Sequence, residues 1–299
     1  MPATTANIGP GFDCLGAALS LYNQFTFTRL DATVGTVKIH VTGEGADHVD
    51  TDDSNLVYQA FAKFYHHLGK PAPAVQIDIQ MGVPLARGLG SSATAIVGGL
   101  VGADALTDFS VSRAEVMQLA IAMEGHPDNV VPALVGGCRL AATNQTGGWE
   151  ICDIRWHEDI TPIVAIPNFE LSTAEARRVL PAQYSRADAV FNTAHLGLLV
   201  RGLETGNADW LRAALQDRIH QPYRESLIPG YGAVQQAAVA AGAYGLVISG
   251  AGSTVLALAA AAQAEPVRQA IATAWTAQGA IVATHILRLD RTGANVHVE

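Results

Sequence analysis

Pro84-Leu85-Ala86-Arg87-Gly88-Leu89-Gly90-Ser91-Ser92-Ala93 stands between two periodic patterns. Before it, Val75, Ile77, Ile79 and Met81 alternate with polar residues, the period of a strand with one buried face. After it, small residues run as a helix to Leu106. Gly88 and Gly90 permit positive φ and close approach of a ligand. Ser91, Ser92 and Ala93 would open the helix, so its free N–H groups and dipole would face the loop and form an anion site. Serine hydroxyls at that position can donate to phosphate or ligate Mg²⁺. A Walker A loop is excluded, because no Gly-Lys-Ser/Thr follows. The G-x-G-x-x-A of a dinucleotide fingerprint is met nominally. The preceding strand, however, is polar on one face, unlike the buried first strand of a parallel nucleotide-binding sheet. A plain strand-to-helix turn would account for the glycines as well, and this segment alone leaves that reading open.

Outward from the loop, Phe25–Thr28 and Val37–Val41 alternate as half-buried strands. Leu56, Val57, Ala60, Phe61, Phe64 and Leu68 make a helical stripe that Ser54 could cap and Pro71 ends. Ser112-x-x-Glu115 reads as a capping box whose helix should reach about Glu124. Strands are expected at Cys138–Thr143, Ile151–Trp156 and Ile160–Ile166. Helices dominate afterwards: one opened by a second capping box, Ser172-x-x-Glu175, and others over about 187–203 and 231–241. Tyr244–Ser249 reads as a short buried strand ending in Gly250-Ala251-Gly252. An Ala-rich helix and a second helix over 266–277 should follow, and then a strand within Ala280–Leu289. This order predicts two α+β domains with antiparallel sheets, residues 1–158 and 159–299, split without a linker composition.

The 299 residues are 49% hydrophobic and 15% charged, a globular balance with enough chain to bury a core unaided. The net charge of −9, with no basic cluster, excludes nucleic acid and anionic membrane as expected partners. No apolar run is long enough for a transmembrane helix, and Met1–Thr5 shows no signal peptide, so a cytoplasmic protein is expected. Cys14, Cys138 and Cys152 are odd in number and widely spaced, which argues against disulfides or a zinc site.

Two further segments change the reading of the glycine loop. One is Pro2-Ala3-Thr4-Thr5-Ala6-Asn7-Ile8-Gly9-Pro10-Gly11-Phe12-Asp13-Cys14-Leu15-Gly16; the other is Ser249-Gly250-Ala251-Gly252-Ser253-Thr254. With the middle loop they resemble the three signature motifs of the GHMP small-molecule kinases. The first segment, His126-Pro127-Asp128-Asn129-Val130, Leu171–Arg177 and Pro222-Tyr223-Arg224 bring the likeness closest to the branch acting on L-homoserine. The resemblance runs nearly end to end. Family members carry a short strand before the Pro-Ala-Thr segment, whereas here Pro2 follows Met1 directly.

The resemblance implies a two-domain GHMP kinase fold, an N-terminal α+β domain with a left-handed β-α-β crossover and a C-terminal ferredoxin-like domain. It implies transfer of the ATP γ-phosphate to the hydroxyl of L-homoserine, in threonine biosynthesis, by a homodimer. Pro84, Leu85, Ala86, Arg87, Gly88, Leu89, Gly90, Ser91, Ser92, Ala93 and Thr94 would form the phosphate loop, closed by Gly250, Gly252 and Ser253. Ser92 and Glu124 would ligate Mg²⁺, a hard cation suited to oxygen ligands. Asn7, Asp13, His126 and Asn129 resemble amino-acid-binding positions, with Asp13 neutralising the α-ammonium. Arg177 and Arg224 match carboxylate-binding arginines, whose guanidinium forks suit a carboxylate. Asn7, Glu124, Asp128 and Arg177 are the candidate catalytic residues. Asp128 would orient the hydroxyl or take its proton, in a reaction dominated by positioning and charge stabilisation. On the residues alone, Asn7 and Asp13 also read as turn residues, Glu124 as a helix-end surface carboxylate, His126 as a structural hydrogen-bonding residue and each arginine as a solvated side chain. Three rivals remain at this stage: another GHMP kinase (for mevalonate, a sugar or threonine), a non-catalytic nucleotide-binding protein, and a dinucleotide-dependent oxidoreductase.

Overall fold

The computed structural model describes residues 1–298. The N-terminal motif, whose strands the periodicity does not announce, is a hairpin: β1 (Pro2–Asn7) runs antiparallel to the long β2 (Gly11–Tyr22). β3 (Gln24–Arg29) and β4 (Val37–Gly43) follow. The helix α1 (Leu56–His67) then leads into β5 (Val75–Met81), which pairs parallel with β4 and antiparallel with β3 in a sheet of order β3-β5-β4. α1 is capped by Asn55, whose side chain accepts from the Val57 N–H; the expected cap, Ser54, bonds instead to Asp52. The small-residue helix α2 (Ser91–Ala105) lies on α1 and shares with it and β5 a core that includes Phe61, Phe64, Ile77 and Leu100.

α3 (Arg113–Glu124) begins at the Ser112 cap, but only half of the expected box forms. The Glu115 carboxylate bonds His67 at 2.7 Å rather than returning to the cap. Pro127, the preferred residue type for a first helical position, starts a helix that the sequence reading leaves as a loop, α4 (Pro127–Val135). β6 (Cys138–Thr143) and β7 (Trp149–Ile154) complete a second sheet of order β1-β2-β6-β7.

The second half opens with β8 (Ile160–Pro167) and continues through α5 (Thr173–Arg178), α6 (Arg186–Thr205), α7 (Ala208–Ala214), α8 (Gln221–Arg224) and α9 (Tyr231–Ala240). β9 (Gly245–Ile248), β10 (Val255–Ala260), α10 (Ala264–Ala277) and β11 (Val282–Ile286) follow. The sheet order β11-β8-β10-β9 is fully antiparallel and places the four strands as fourth, first, third and second, the ferredoxin-like arrangement. Here the expected Ala-rich helix after Gly252 is wrong, because that stretch is β10. Val255 to Ala259 are all fully buried between β8 and β9. Leu256 and Leu258 enter the core shared with the first half, while Val255, Ala257 and Ala259 enter a separate core under Trp275. Burial on both sheet faces overrides the helical propensity of alanine. The chain then returns to the first half: Asp290 N–H donates to Ala18 O at 2.9 Å and Ala294 N–H to Leu134 O at 2.9 Å.

One contact sets the height of α4 on the hairpin. Gly16 has ordinary backbone angles, but a Cβ there would overlap the Asp128 carbonyl oxygen and sit 3.3 Å from Pro132 Cγ. Gly16→Ala must therefore lift α4, and with it Asp128. The expected cost is roughly 1–3 kcal/mol of stability, as for other overpacked sites. A urea-denaturation midpoint equal to that of the unaltered protein would show that the contact is not constraining.

Candidate active site

Three glycine-bearing segments meet where the halves join, and backbone hydrogen bonds hold them together. Thr4 N–H donates to Leu89 O at 3.0 Å, Gly250 N–H to Ala6 O at 3.0 Å, Thr254 N–H to Arg87 O at 3.0 Å and Leu171 N–H to Ala86 O at 3.3 Å. Ser249 Oγ lies 2.7 Å from Gly88 O. Such proximity requires glycine: at Gly88, φ is +78° and a Cβ would overlap Ser249 O. At Gly90, φ is +67° and a Cβ would overlap Thr4 Oγ1.

Around this junction lies a cavity of about 330 Å³. One wall is the start of α2. Gly90 is its N-cap and no side chain caps the helix, so its first N–H groups and positive dipole end face the cavity beside Ser91 and Ser92. Beside it, Glu124 ends α3, and Ser92 Oγ–H donates to Glu124 Oε1 at 2.8 Å. Burial raises the pKa of Glu124, against the Ser92 hydrogen bond and His126, which lower it. Burial thus disfavours its ionised form, a cost a cation would offset.

The first turn of α4 forms the second wall. His126, its N-cap, lies with Nδ1 2.6 Å from Asp128 Oδ1, and Asp128 is 3% exposed. This hydrogen bond is the largest cause of a raised His126 pKa. Thr4 Oγ–H donates to Asn129 Oδ1 at 2.8 Å, which fixes the orientation of the Asn129 amide. Thr4 was not singled out by the sequence, and its alternation with Ala3 on β1 carries no such signal.

The third wall joins the two halves electrostatically. Asp13, at a positive-φ position tolerated by aspartate, receives both Arg177 guanidinium nitrogens at 3.0 Å each. Arg177 rides on α5, whose capping box is complete: Ser172 Oγ accepts from Glu175 N–H, and Glu175 Oε2 accepts from Ser172 N–H. Arg224, on α8, is 2% exposed; its Nε donates to Ala176 O and its Nη1 to Gly250 O. Asn7 is more engaged than a free substrate ligand would be. Its Nδ2 donates to Gly250 O at 2.8 Å and its Oδ1 accepts the Asp13 N–H at 3.0 Å.

Asn7, Asp13, Ala86, Gly88, Gly90, Ser91, Ser92, Glu124, His126, Asp128, Asn129, Arg177, Arg224, Gly250 and Gly252 thus line one cavity. The other candidates do not. Leu89, Ala93, Thr94 and Ser253 are fully buried behind it, with Thr94 Oγ–H donating to Ser91 O and Ser253 Oγ–H to Phe169 O. Arg87 pairs with Glu170 at 3.2 Å, and Pro84 and Leu85 lie outside the lining. Leu171, Ser172, Thr173 and Ala251 also line it; the sequence places them in the motif segments but assigns them no site role. Among the described residues no three or more His, Cys, Asp or Glu side chains converge as a metal cage. Mg²⁺ needs none, since one or two carboxylates plus phosphate oxygens serve it, and the adjacent oxygens of Ser92 and Glu124 fit that donor set. A second cavity of similar volume lies by the β7–β8 connection, where Arg139 and Asp153 pair with each other at 2.9 Å; none of the glycine segments described above lines it.

Comparison with known proteins assigns this arrangement. The family models for the GHMP kinase N-terminal and C-terminal domains match residues 55–137 and 199–277. A homoserine kinase of Microchaete diplosiphon is 65% identical over 295 residues, 99% of this chain and 95% of that one. A homoserine kinase of a Synechococcus species is 58% identical, over 100% of this chain and 97% of that one. Among solved structures, homoserine kinase from Cytophaga hutchinsonii superposes with a TM-score of 0.89 at 28% identity, covering 98% of this chain and 94% of that one. L. major mevalonate kinase shares the fold at a TM-score of 0.73 and 17% identity, covering 98% and 95%. The chain belongs to the GHMP kinase family, in its homoserine kinase branch.

Proposed function

We infer that this chain transfers the γ-phosphoryl group of ATP to the side-chain hydroxyl of L-homoserine, giving ADP and O-phospho-L-homoserine for threonine biosynthesis. One observation carries the reading beyond family membership. An uncapped helix N-terminus and a carboxylate–guanidinium pair that spans the two halves of the chain face the same cavity. The first suits a phosphate chain and the second a zwitterion. Asp13 and Arg177 neutralise each other. An amino acid entering between them gives its ammonium to Asp13 and its carboxylate to Arg177, with Arg224 alongside. Each charge keeps a partner throughout, so the exchange leaves neither group unpaired.

The amino acid then lies between the halves with its hydroxyl toward α2 and α4. Asp128 and Asn129 hold that hydroxyl, and the N–H groups at Gly90–Ser92 hold phosphate oxygens. Asn7 acts here through Asp13 and Gly250 rather than by touching substrate. Ser92 and Glu124 would hold Mg²⁺, which when bound offsets negative charge on the phosphoryl oxygens. Orientation and fixed charge are the main contributions of the protein, as expected of phosphoryl transfer. By the same likeness we assign a homodimer working in the cytoplasm, with residues 1–158 and 159–299 as its functional domains. No helix among the described residues is long and apolar enough to cross a membrane.

ADP release measured in parallel with L-homoserine, L-threonine, mevalonate and galactose tests the assignment, and L-homoserine should give by far the highest kcat/KM. Within the same assay, Arg177→Leu should lower kcat/KM for homoserine about 10- to 200-fold, the range of a lost charge-assisted pair. It should also narrow the preference for homoserine over 3-aminopropan-1-ol, which lacks the carboxylate. Equal use of both compounds by the unaltered enzyme would contradict the carboxylate role.

The His126–Asp128 pair has a pH signature. Because Asp128 raises the His126 pKa, the pair contributes stability that is fully present below the ordinary histidine value of about 6.5. That contribution is lost as pH rises through the raised value. NMR titration of the His126 ring should show a midpoint above about 6.5, and Asp128→Asn should lower it. A midpoint unmoved by Asp128→Asn would remove Asp128 as the cause.

A further inference from the structure

Arg224 is held by Ala176, Gly250 and His220, and the last of these has no role in the chemistry above. His220 is fully buried and lies between the turn after β1 and the Arg224 guanidinium. Its Nε2 is 2.9 Å from Gly9 O, and its Nδ1 is 3.3 Å from Arg224 Nη1. A carbonyl can only accept and a guanidinium can only donate. The tautomer is therefore determined: Nε2–H donates to Gly9 O, and the bare Nδ1 accepts from Arg224. Burial lowers the His220 pKa, which keeps the ring neutral and the acceptor available.

The surroundings are built to keep the ring in place. Asp217, 8% exposed, accepts the backbone N–H groups of Ile219, His220 and Gln221 and the Asn192 side-chain N–H. Phe12 stacks on the imidazole at 5.1 Å between centroids, and the Arg224 Cζ lies 5.2 Å from the same Phe12 ring. The five N–H donors of Arg224 divide between the protein and the cavity. Nε goes to Ala176 O, and the two Nη1 hydrogens go to Gly250 O and His220 Nδ1. Nη2 donates to no protein acceptor among the described residues, and Arg224 lines the cavity.

We propose that His220 is a positioning residue for substrate recognition: as the Nε2–H tautomer, clamped between Gly9 and Arg224 and stacked on Phe12, it holds the guanidinium so that Nη2 is presented to the substrate carboxylate. The inference rests on the reading that Arg224 meets that carboxylate. It assigns the hairpin turn at Gly9 a part in amino-acid recognition although no side chain of that turn touches the substrate.

His220→Gln keeps a donor near Gly9 but offers no acceptor at the Nδ1 position. It should raise the homoserine KM about tenfold, with the ATP KM and kcat within twofold. His220→Asn retains an acceptor near Nδ1 and should stay within about threefold of the unaltered enzyme. With 3-aminopropan-1-ol, which has no carboxylate, His220→Gln should change KM less than twofold. In an Arg224→Leu background, His220→Gln should add less than twofold to the homoserine KM, because the residue acts only through Arg224. Four results would overturn the proposal. The homoserine KM could be unmoved by His220→Gln, the two substrates' KM values could rise equally, or the tenfold effect could persist in full without Arg224. If Arg224→Leu itself leaves the homoserine KM unchanged, the carboxylate reading fails as well, which separates that failure from the other three.

Discussion

The hydrogen bond from Gly250 N–H to Ala6 O, with its counterparts at Thr4–Leu89, Thr254–Arg87 and Leu171–Ala86, is the constraint on which the site depends. None of these bonds lies within a sheet or helix. Each joins segments far apart in sequence, and three of the four join the two halves of the chain. The glycines are required for that reason: at Gly88 and Gly90 a side chain would occupy space already held by Ser249 and Thr4. The same bonds place the start of α2, the end of α3, the first turn of α4 and the Arg177 and Arg224 helices around one cavity. An active site assembled from two halves needs them to move as one body, and a shared core beneath the hairpin supports that. Leu15 and Leu19 of β2 lie in the same cluster as Val164, Leu199 and Leu256.

Electrostatics complete the arrangement. A protein of net charge −9 would repel a nucleotide in general. Locally it presents the positive end of α2 and two guanidinium groups, while Asp13, Glu124 and Asp128 each have a hydrogen-bonding partner. Arg177 and Asp13 are each more than a third exposed, so their pairing contributes modestly to stability and chiefly orients the two groups. Discrimination among small hydroxyl compounds then depends on whether the entering molecule can replace both halves of that pair.

Much of this was legible in the residues, for identifiable reasons. The glycine loop announces itself because strand period, turn and helix period adjoin within some 20 residues. Ser172-x-x-Glu175 forms the full box it encodes, whereas Ser112-x-x-Glu115 forms only half of it, with the Glu115 carboxylate bonded to His67 of another helix. The β10 strand was illegible: alanine-rich sequence favours helix locally, and only neighbours on both faces make it a strand. The α4 helix was hidden behind its own loop-like His-Pro-Asp-Asn opening. The pairing of Asp13 with Arg177 and the burial of His220 beside Arg224 are long-range, and no local pattern encodes a partner 164 residues away.

The most direct test of the account is residue-resolved amide hydrogen exchange of the free protein. The N–H groups of Thr4, Gly250 and Thr254 belong to loops or strand ends by sequence, but here each is bonded across segments. They should exchange only through global unfolding, with the same protection as Val164 and Leu256 in the β11-β8-β10-β9 sheet, and they should lose protection together as denaturant is raised. Exchange of Gly250 and Thr254 at loop-like rates, with Thr4 and the core still protected, would show that the glycine segments open independently and that the site is not held by their mutual hydrogen bonds.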